Sequence, residues 1–143
     1  MTPVLVVDDS DTMRQLVRSM LEPAGYLVSE APDGVDGIDA LRAAPAPQVV
    51  LLDYHMPRMD GWQVLQTVAA EGAPLAAHEF IVITADVSTF PETSIDLLRH
   101  VSVRILPKPF SKEALVTVVT QALDRLRPPA ATPLPTLSDS DPT

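Results

Sequence analysis

Four short apolar runs, each closing on a polar group of a different kind, constrain the fold of this chain more than any other feature. Val4-Leu5-Val6-Val7 closes on Asp8-Asp9, and Val49-Val50-Leu51-Leu52 closes on Asp53. Ile81-Val82-Ile83 closes on Thr84, and Val103-Arg104-Ile105-Leu106 leads into Pro107-Lys108-Pro109. Unbroken β-branched and leucine runs of this length suit strands covered on both faces, as in a parallel sheet between two helical layers. In such sheets ligands bind in the crevice outside the carboxyl ends of the strands. Three carboxylates, a hydroxyl and an ammonium are therefore expected to meet in one small site.

Helical signals fill the gaps between the runs. Ser10 can cap a helix carrying Met13, Leu16, Val17, Met20 and Leu21 at helical spacing, stopped by Pro23 and Gly25. Tyr26-Leu27-Val28 reads as a short second strand, and residues 34–44 as a weaker helix ended by Pro45 and Pro47. The loop Met56-Pro57-Arg58-Met59-Asp60-Gly61 feeds a third helix with Val64, Leu65 and Val68, and Trp62 is expected to pack at its start. Between Val87 and His100, Ile95, Leu97 and Leu98 suggest a short helix interrupted upstream by Pro91. Ser111 caps a last helix with Leu115, Val118, Val119, Ala122 and Leu126 on one stripe. Five β-α repeats imply right-handed crossovers and an α/β three-layer sandwich.

Bulk properties narrow the function. The length of 143 residues suits one domain with a proper core. There is no cysteine, hence neither a disulfide framework nor a thiolate metal site. A net charge of −9 argues against broad nucleic-acid binding, which needs a basic face. No stretch approaches a membrane span and no leader pattern opens the chain, so the expectation is a cytoplasmic protein without membrane insertion. Residues 128–143 hold five of the 15 prolines and no aromatic residue, and read as a disordered tail or linker stub.

Taken as charges, Asp8, Asp9 and Asp53 would repel one another and raise at least one carboxyl pKa. A hard divalent cation relieves that repulsion, and oxygen-only ligands point to Mg²⁺ rather than zinc. Lys108 adds a further positive charge, so the site can accept a phosphoryl group. Asp53 is the carboxylate placed to act as nucleophile, since carboxylates form aspartyl-phosphates. Thr84 can donate a hydrogen bond to a new phosphoryl oxygen. Each residue has a blander reading: Asp8 and Asp9 as a helix cap, Asp53 as a loop acid, Lys108 as a solvated charge. His78 and His100 read as surface residues.

VLVVDDS, LLDYHMPRMDG, IVITAD and LPKPF, in this order and spacing, resemble the response-regulator receiver domain of two-component signalling. The resemblance implies a receiver over residues 1–127, with a flavodoxin-like five-stranded parallel sheet of order 2-1-3-4-5. It implies that Asp53 is the phospho-acceptor and that Asp9 and Asp53 hold Mg²⁺ directly, with Asp8 acting through water. The His55 backbone carbonyl would be a further ligand, Thr84 the switch hydroxyl, and Lys108 the cation beside the phosphoryl group. It also makes Lys108–Pro109 a candidate cis peptide.

The implied donor is a histidine kinase, a histidine phosphotransfer protein or a small phospho-donor. The implied output is binding to a downstream target protein, with dimerisation left open. The protein is expected to be a signalling switch rather than an enzyme. Two other readings compete: a small-phosphate hydrolase with an aspartyl-phosphate intermediate, and a docking module indifferent to phosphorylation. The hydrolase reading expects a second acid two residues after the nucleophile, where His55 stands. Two positions depart from the family. Ile105 occupies the place of the usual aromatic residue, and His100-Val101-Ser102 replaces the usual Gly-Ala turn.

Overall fold

The computed structural model describes residues 2–86 and 99–126. Five strands, β1 (Thr2–Val7), β2 (Tyr26–Ala31), β3 (Val49–Asp53), β4 (Glu79–Thr84) and β5 (Ser102–Pro107), form one sheet. All pairings are parallel and the order is β2-β1-β3-β4-β5. The described helices are α1 (Asp11–Leu21), α2 (Gly34–Ala43), α3 (Gly61–Glu71) and α4 (Lys112–Leu126). This is the flavodoxin-like arrangement, with helices on both faces. Among the described residues no helix is long and apolar enough to cross a membrane. The helix expected between Val87 and His100, and the proline-rich tail, lie outside the described residues.

Strand pleating explains why the first three runs are apolar without a break. Leu5 and Val7 of β1, Val50 and Leu52 of β3, and Phe80 and Val82 of β4 pack with Ile38, Leu41, Val64, Leu65 and Val68 of α2 and α3. The alternate residues Val4, Val6, Val49, Leu51, Ile81 and Ile83 pack with Val17, Leu21, Leu115, Val119 and Ala122 of α1 and α4. Successive side chains therefore serve two cores, and each fully buried Val, Leu or Ile contributes about 1.5–3 kcal/mol. A polar residue in mid-run would face one core or the other with no water to bond.

The fourth run differs from that expectation. β5 is an edge strand, only Leu106 within it is buried, and Ile105 remains 38% exposed. The second strand is also longer than its apolar part, running on through Ser29, Glu30 and Ala31 to match β1 residue for residue. An edge strand can carry Ser and Glu because one side of it meets solvent.

Local signals act as their chemistry suggests. Ser10 Oγ accepts from the Met13 N–H, and Ser111 Oγ from the Ala114 N–H, so both cap their helices. Gly25 ends the first helical segment at φ 98°, a region open to glycine. Trp62 packs partly buried against the α2–α3 core. His78 reverses its expected surface position: it is 3% exposed, its Nδ1 accepts the Gln48 N–H at 2.9 Å, and its ring meets Phe80 edge-on. That site at the start of β4 rewards an imidazole that both fills apolar space and satisfies an amide.

Candidate functional site

The carboxyl ends of β1, β3, β4 and β5 deliver the polar groups to one crevice, and the local bonds show how. At the end of β1 the Asp8 N–H donates to the Ala31 carbonyl at 3.1 Å, the last rung against β2. The chain then turns into α1, with the Ser10 N–H donating to Asp8 Oδ1 at 2.9 Å. Past Asp53, the Tyr54 N–H donates to the Ile83 carbonyl at 3.0 Å, and the Gly61 N–H donates back to the Tyr54 carbonyl at 2.8 Å. Glycine is required there, since a Cβ at residue 61 would lie 2.9 Å from Tyr54 Cα. Asp60 caps α3 reciprocally with Gln63. Within this loop Arg58 sits at φ 67° in a three-residue turn, and its guanidinium pairs with Asp33.

At the other side of the crevice the Lys108 N–H donates to the Thr84 carbonyl at 2.8 Å, so these residues lie side by side. The Lys108–Pro109 peptide is cis, as the resemblance implied. Lys108 Nζ donates to Asp53 Oδ1 at 3.1 Å. One carboxylate oxygen from each of Asp8, Asp9 and Asp53 lies within 4.8 Å of the others. Asp8 and Asp53 are 3% and 5% exposed, while Asp9 faces solvent. Thr84 is fully buried, its hydroxyl donating to the Asp86 carbonyl and accepting the Asp86 N–H, both at 3.2 Å.

Asp8, Asp9, Asp53 and Lys108 thus come together, with Thr84 beside Lys108 through the backbone. The His55 side chain is exposed, its ring set edge-on to Tyr54, whereas the group expected to serve as a ligand is its backbone carbonyl. The electrostatics match the crowding. Burial, opposed by the Ser10 N–H and Lys108 and reinforced by Asp53 and Asp9, pushes the Asp8 carboxyl up to about 6. The buried acid is held above its ordinary range chiefly by loss of water, with the neighbouring carboxylates adding to it. The donor set is oxygen only, and a hard cation of the Mg²⁺ class fits it. With such a cation and Lys108 in place, the crevice can take an anionic phosphoryl group.

Sequence reasoning missed Arg14. On α1 it is buried, and its Nη1 donates to the Asp8 carbonyl at 2.5 Å while Nε donates to Glu30 Oε1 at 2.9 Å. The signal available was an arginine beside Met13 and Val17 on the apolar stripe of α1, six residues after Asp8.

Residues 4–120 match the family model described as the response regulator receiver domain. The chain is 33% identical over 124 residues to the sensor histidine kinase CheAY of Helicobacter pylori, covering 84% of this chain and 15% of that protein. It is 34% identical over 125 residues to the response regulator MprA of Mycobacterium avium, covering 87% of this chain and 52% of that protein. The chain therefore spans about half of the length of one relative and about a seventh of the other. Among solved structures, the chemotaxis protein CheY4 of Vibrio cholerae superposes with a TM-score of 0.72 at 30% identity, covering 85% of this chain and 98% of that one. A CheY-like receiver domain protein from Methanospirillum hungatei gives 0.71 at 31% identity, covering 84% and 92%. The order of the sheet, the acid cluster at its carboxyl edge and these likenesses agree: the chain belongs to the response-regulator receiver family of two-component signalling.

Proposed function

We propose that this receiver domain is a phosphorylation-controlled switch, loaded on Asp53 in a Mg²⁺-dependent transfer. The donor is the phosphohistidine of a histidine kinase or phosphotransfer protein, or a small acyl phosphate. The observation that carries the reading is the convergence of Asp53 with Lys108 Nζ, 3.1 Å away, and with two further carboxylates within 4.8 Å. Asp8, Asp9, Asp53 and the His55 carbonyl are the groups that would hold Mg²⁺. When bound, the ion neutralises the phosphoryl oxygens and the acid cluster.

The protein's own residues then do little covalent work. An Asp53 carboxylate oxygen attacks phosphorus in line, forming the P–O bond as the P–N bond of phosphohistidine, or the P–O bond of an acyl phosphate, breaks. Lys108 exchanges its Asp53 partner for a phosphoryl oxygen. Thr84 exchanges the Asp86 carbonyl for another phosphoryl oxygen, so the turn at Ala85–Asp86 is biased toward the loaded state. An apolar depression of about 350 Å³ lies beside Lys108, lined by Met13, Leu16, Ala85, Lys108, Pro109 and Phe110. Leu16, expected on the buried stripe of α1, is 42% exposed there. The names of two relatives, a sensor histidine kinase and a response regulator, support the same kind of donor and output. Ile105, exposed on β5, stands where the family's aromatic residue would be, so this chain lacks the usual aromatic partner for Thr84.

Incubation with Mg²⁺ and acetyl phosphate, read by intact mass, tests this. One phosphoryl adduct on the wild type and none on Asp53→Asn is expected. The absence of an adduct with any phospho-donor refutes the reading. Continued turnover of a phosphate ester would instead point to a hydrolase, and partner binding indifferent to Mg²⁺ and a phosphoryl analogue to a docking module.

A further inference from the structure

We propose that Arg14 is a positioning residue for the acid pocket, a role that rests on the metal-dependent reading above. Its guanidinium holds the Asp8 main chain, and is itself held by Glu30 of the neighbouring strand. A buried guanidinium has to be paired and hydrogen-bonded. Arg14 has two carboxylate partners, Glu30 at 2.9 Å and Asp11 one helical turn back. Its contact with the Asp8 carbonyl, at 2.5 Å, goes beyond that requirement. It leaves Asp8 held at three points: the N–H by Ala31, the carboxylate by the Ser10 N–H and the carbonyl by Arg14. The turn that aims Asp8 and Asp9 at Asp53 then has little freedom to rotate.

The anchor behind Arg14 is also built. Glu30 Oε2 accepts from Arg18 Nε and Nη2 at 3.0 and 2.6 Å, and Arg18 Nη1 reaches Glu22 at 2.7 Å. Arg14 and Arg18 lie one helical turn apart on α1, so a single carboxylate on β2 is gripped by both. Its hydrogen bonds to Arg18, and then to Arg14, hold the Glu30 carboxyl below its ordinary range. The line Glu22–Arg18–Glu30–Arg14–Asp8 therefore runs from the far end of α1 and the edge strand to the backbone of the metal pocket. A lysine at position 14 has one compact ammonium and no planar fork, so it cannot serve three partners in different directions.

Groups that orient metal ligands from behind typically affect affinity by about 10–100-fold when removed. The test is the Mg²⁺ dissociation constant of the full chain by calorimetry, at a temperature where circular dichroism in EDTA shows every variant folded. Arg14→Met is expected to weaken Mg²⁺ binding by about tenfold or more. Arg14→Lys and Glu30→Gln should fall between that variant and the wild type. A purely structural Arg14 would lower the melting temperature in EDTA and leave the metal affinity of the folded protein unchanged. Mg²⁺ affinity within twofold of wild type in folded Arg14→Met overturns the proposal. Should that variant not fold, an unchanged affinity in Arg14→Lys together with Glu30→Gln overturns it. A wild type that takes no Mg²⁺ removes the metal-dependent function itself, a result separate from any difference among variants.

Discussion

Replacing Asp8 by asparagine should stabilise the metal-free protein while removing much of its capacity for Mg²⁺. The carboxyl of Asp8 is raised from 3.8 to about 6, chiefly by burial. Below pH 3.8 the group is protonated in both folded and unfolded chains and contributes nothing. As the pH rises, the unfolded chain releases its proton first, the folded state binds more protons, and stability falls until the folded carboxyl has also ionised. A shift of roughly two units corresponds to about 3 kcal/mol of lost stability above pH 7, and to under about 1 kcal/mol at pH 4. Asparagine keeps an Oδ1 for the Ser10 N–H and nearly the same volume, so it removes the charge without opening a cavity. The expected gain in EDTA is therefore about 3 kcal/mol at pH 8, or on the order of 10 °C in melting temperature, shrinking to a small remainder at pH 4. Urea titrations at both pH values, with Mg²⁺ calorimetry on the same samples, measure it. A variant less stable than wild type at pH 8, or a gain of equal size at both pH values, would refute the reasoning.

Other outcomes follow from single contacts. Lys108→Met should cut the rate of acetyl phosphate labelling by at least tenfold, read by the time course of intact mass, because the cation 3.1 Å from Asp53 is lost. His78, whose pKa burial lowers, resists protonation in the folded state while the unfolded chain protonates below its ordinary value of 6.5. Stability should accordingly fall as the pH drops below that value, and His78→Gln, which can still accept the Gln48 N–H, should flatten this part of the profile. Gly61→Ala forces a methyl group to within 2.9 Å of Tyr54 Cα and 3.1 Å of the Asp53 carbonyl. A loss of about 1–3 kcal/mol in chemical denaturation is expected, along with slower labelling of Asp53.

The legible parts of this molecule are those where one residue type has one physical use. Runs such as Val49-Val50-Leu51-Leu52 serve two cores at once, so their lack of alternation already specified a covered parallel strand. Ser10, Ser111, Pro23 and Gly25 announced helix ends through local geometry alone. Where a residue type has two uses, only its neighbours decide. His78 reads as a surface histidine until Gln48 and Phe80 are seen beside it. The strand Tyr26-Leu27-Val28 reads as short until β1 is seen to extend alongside Ser29-Glu30-Ala31. Leu16 belongs to the helical stripe of α1, but it falls at the margin of the contact with α4 and the β5–α4 turn.

The sequence by itself determined the sheet class, the residues at its carboxyl edge and the kind of chemistry three acids and a lysine can support. These follow from hydrophobic periodicity and from charge, which depend on residue type and spacing. What only the tertiary structure decided is how those groups are held. The Lys108–Asp53 contact spans 55 residues, the raised Asp8 carboxyl depends on burial by distant segments, and the Arg14 grip on the Asp8 carbonyl is itself held by Glu30 on the neighbouring strand. Burial and partner geometry are properties of the packed whole, so no pattern along the chain encodes them directly.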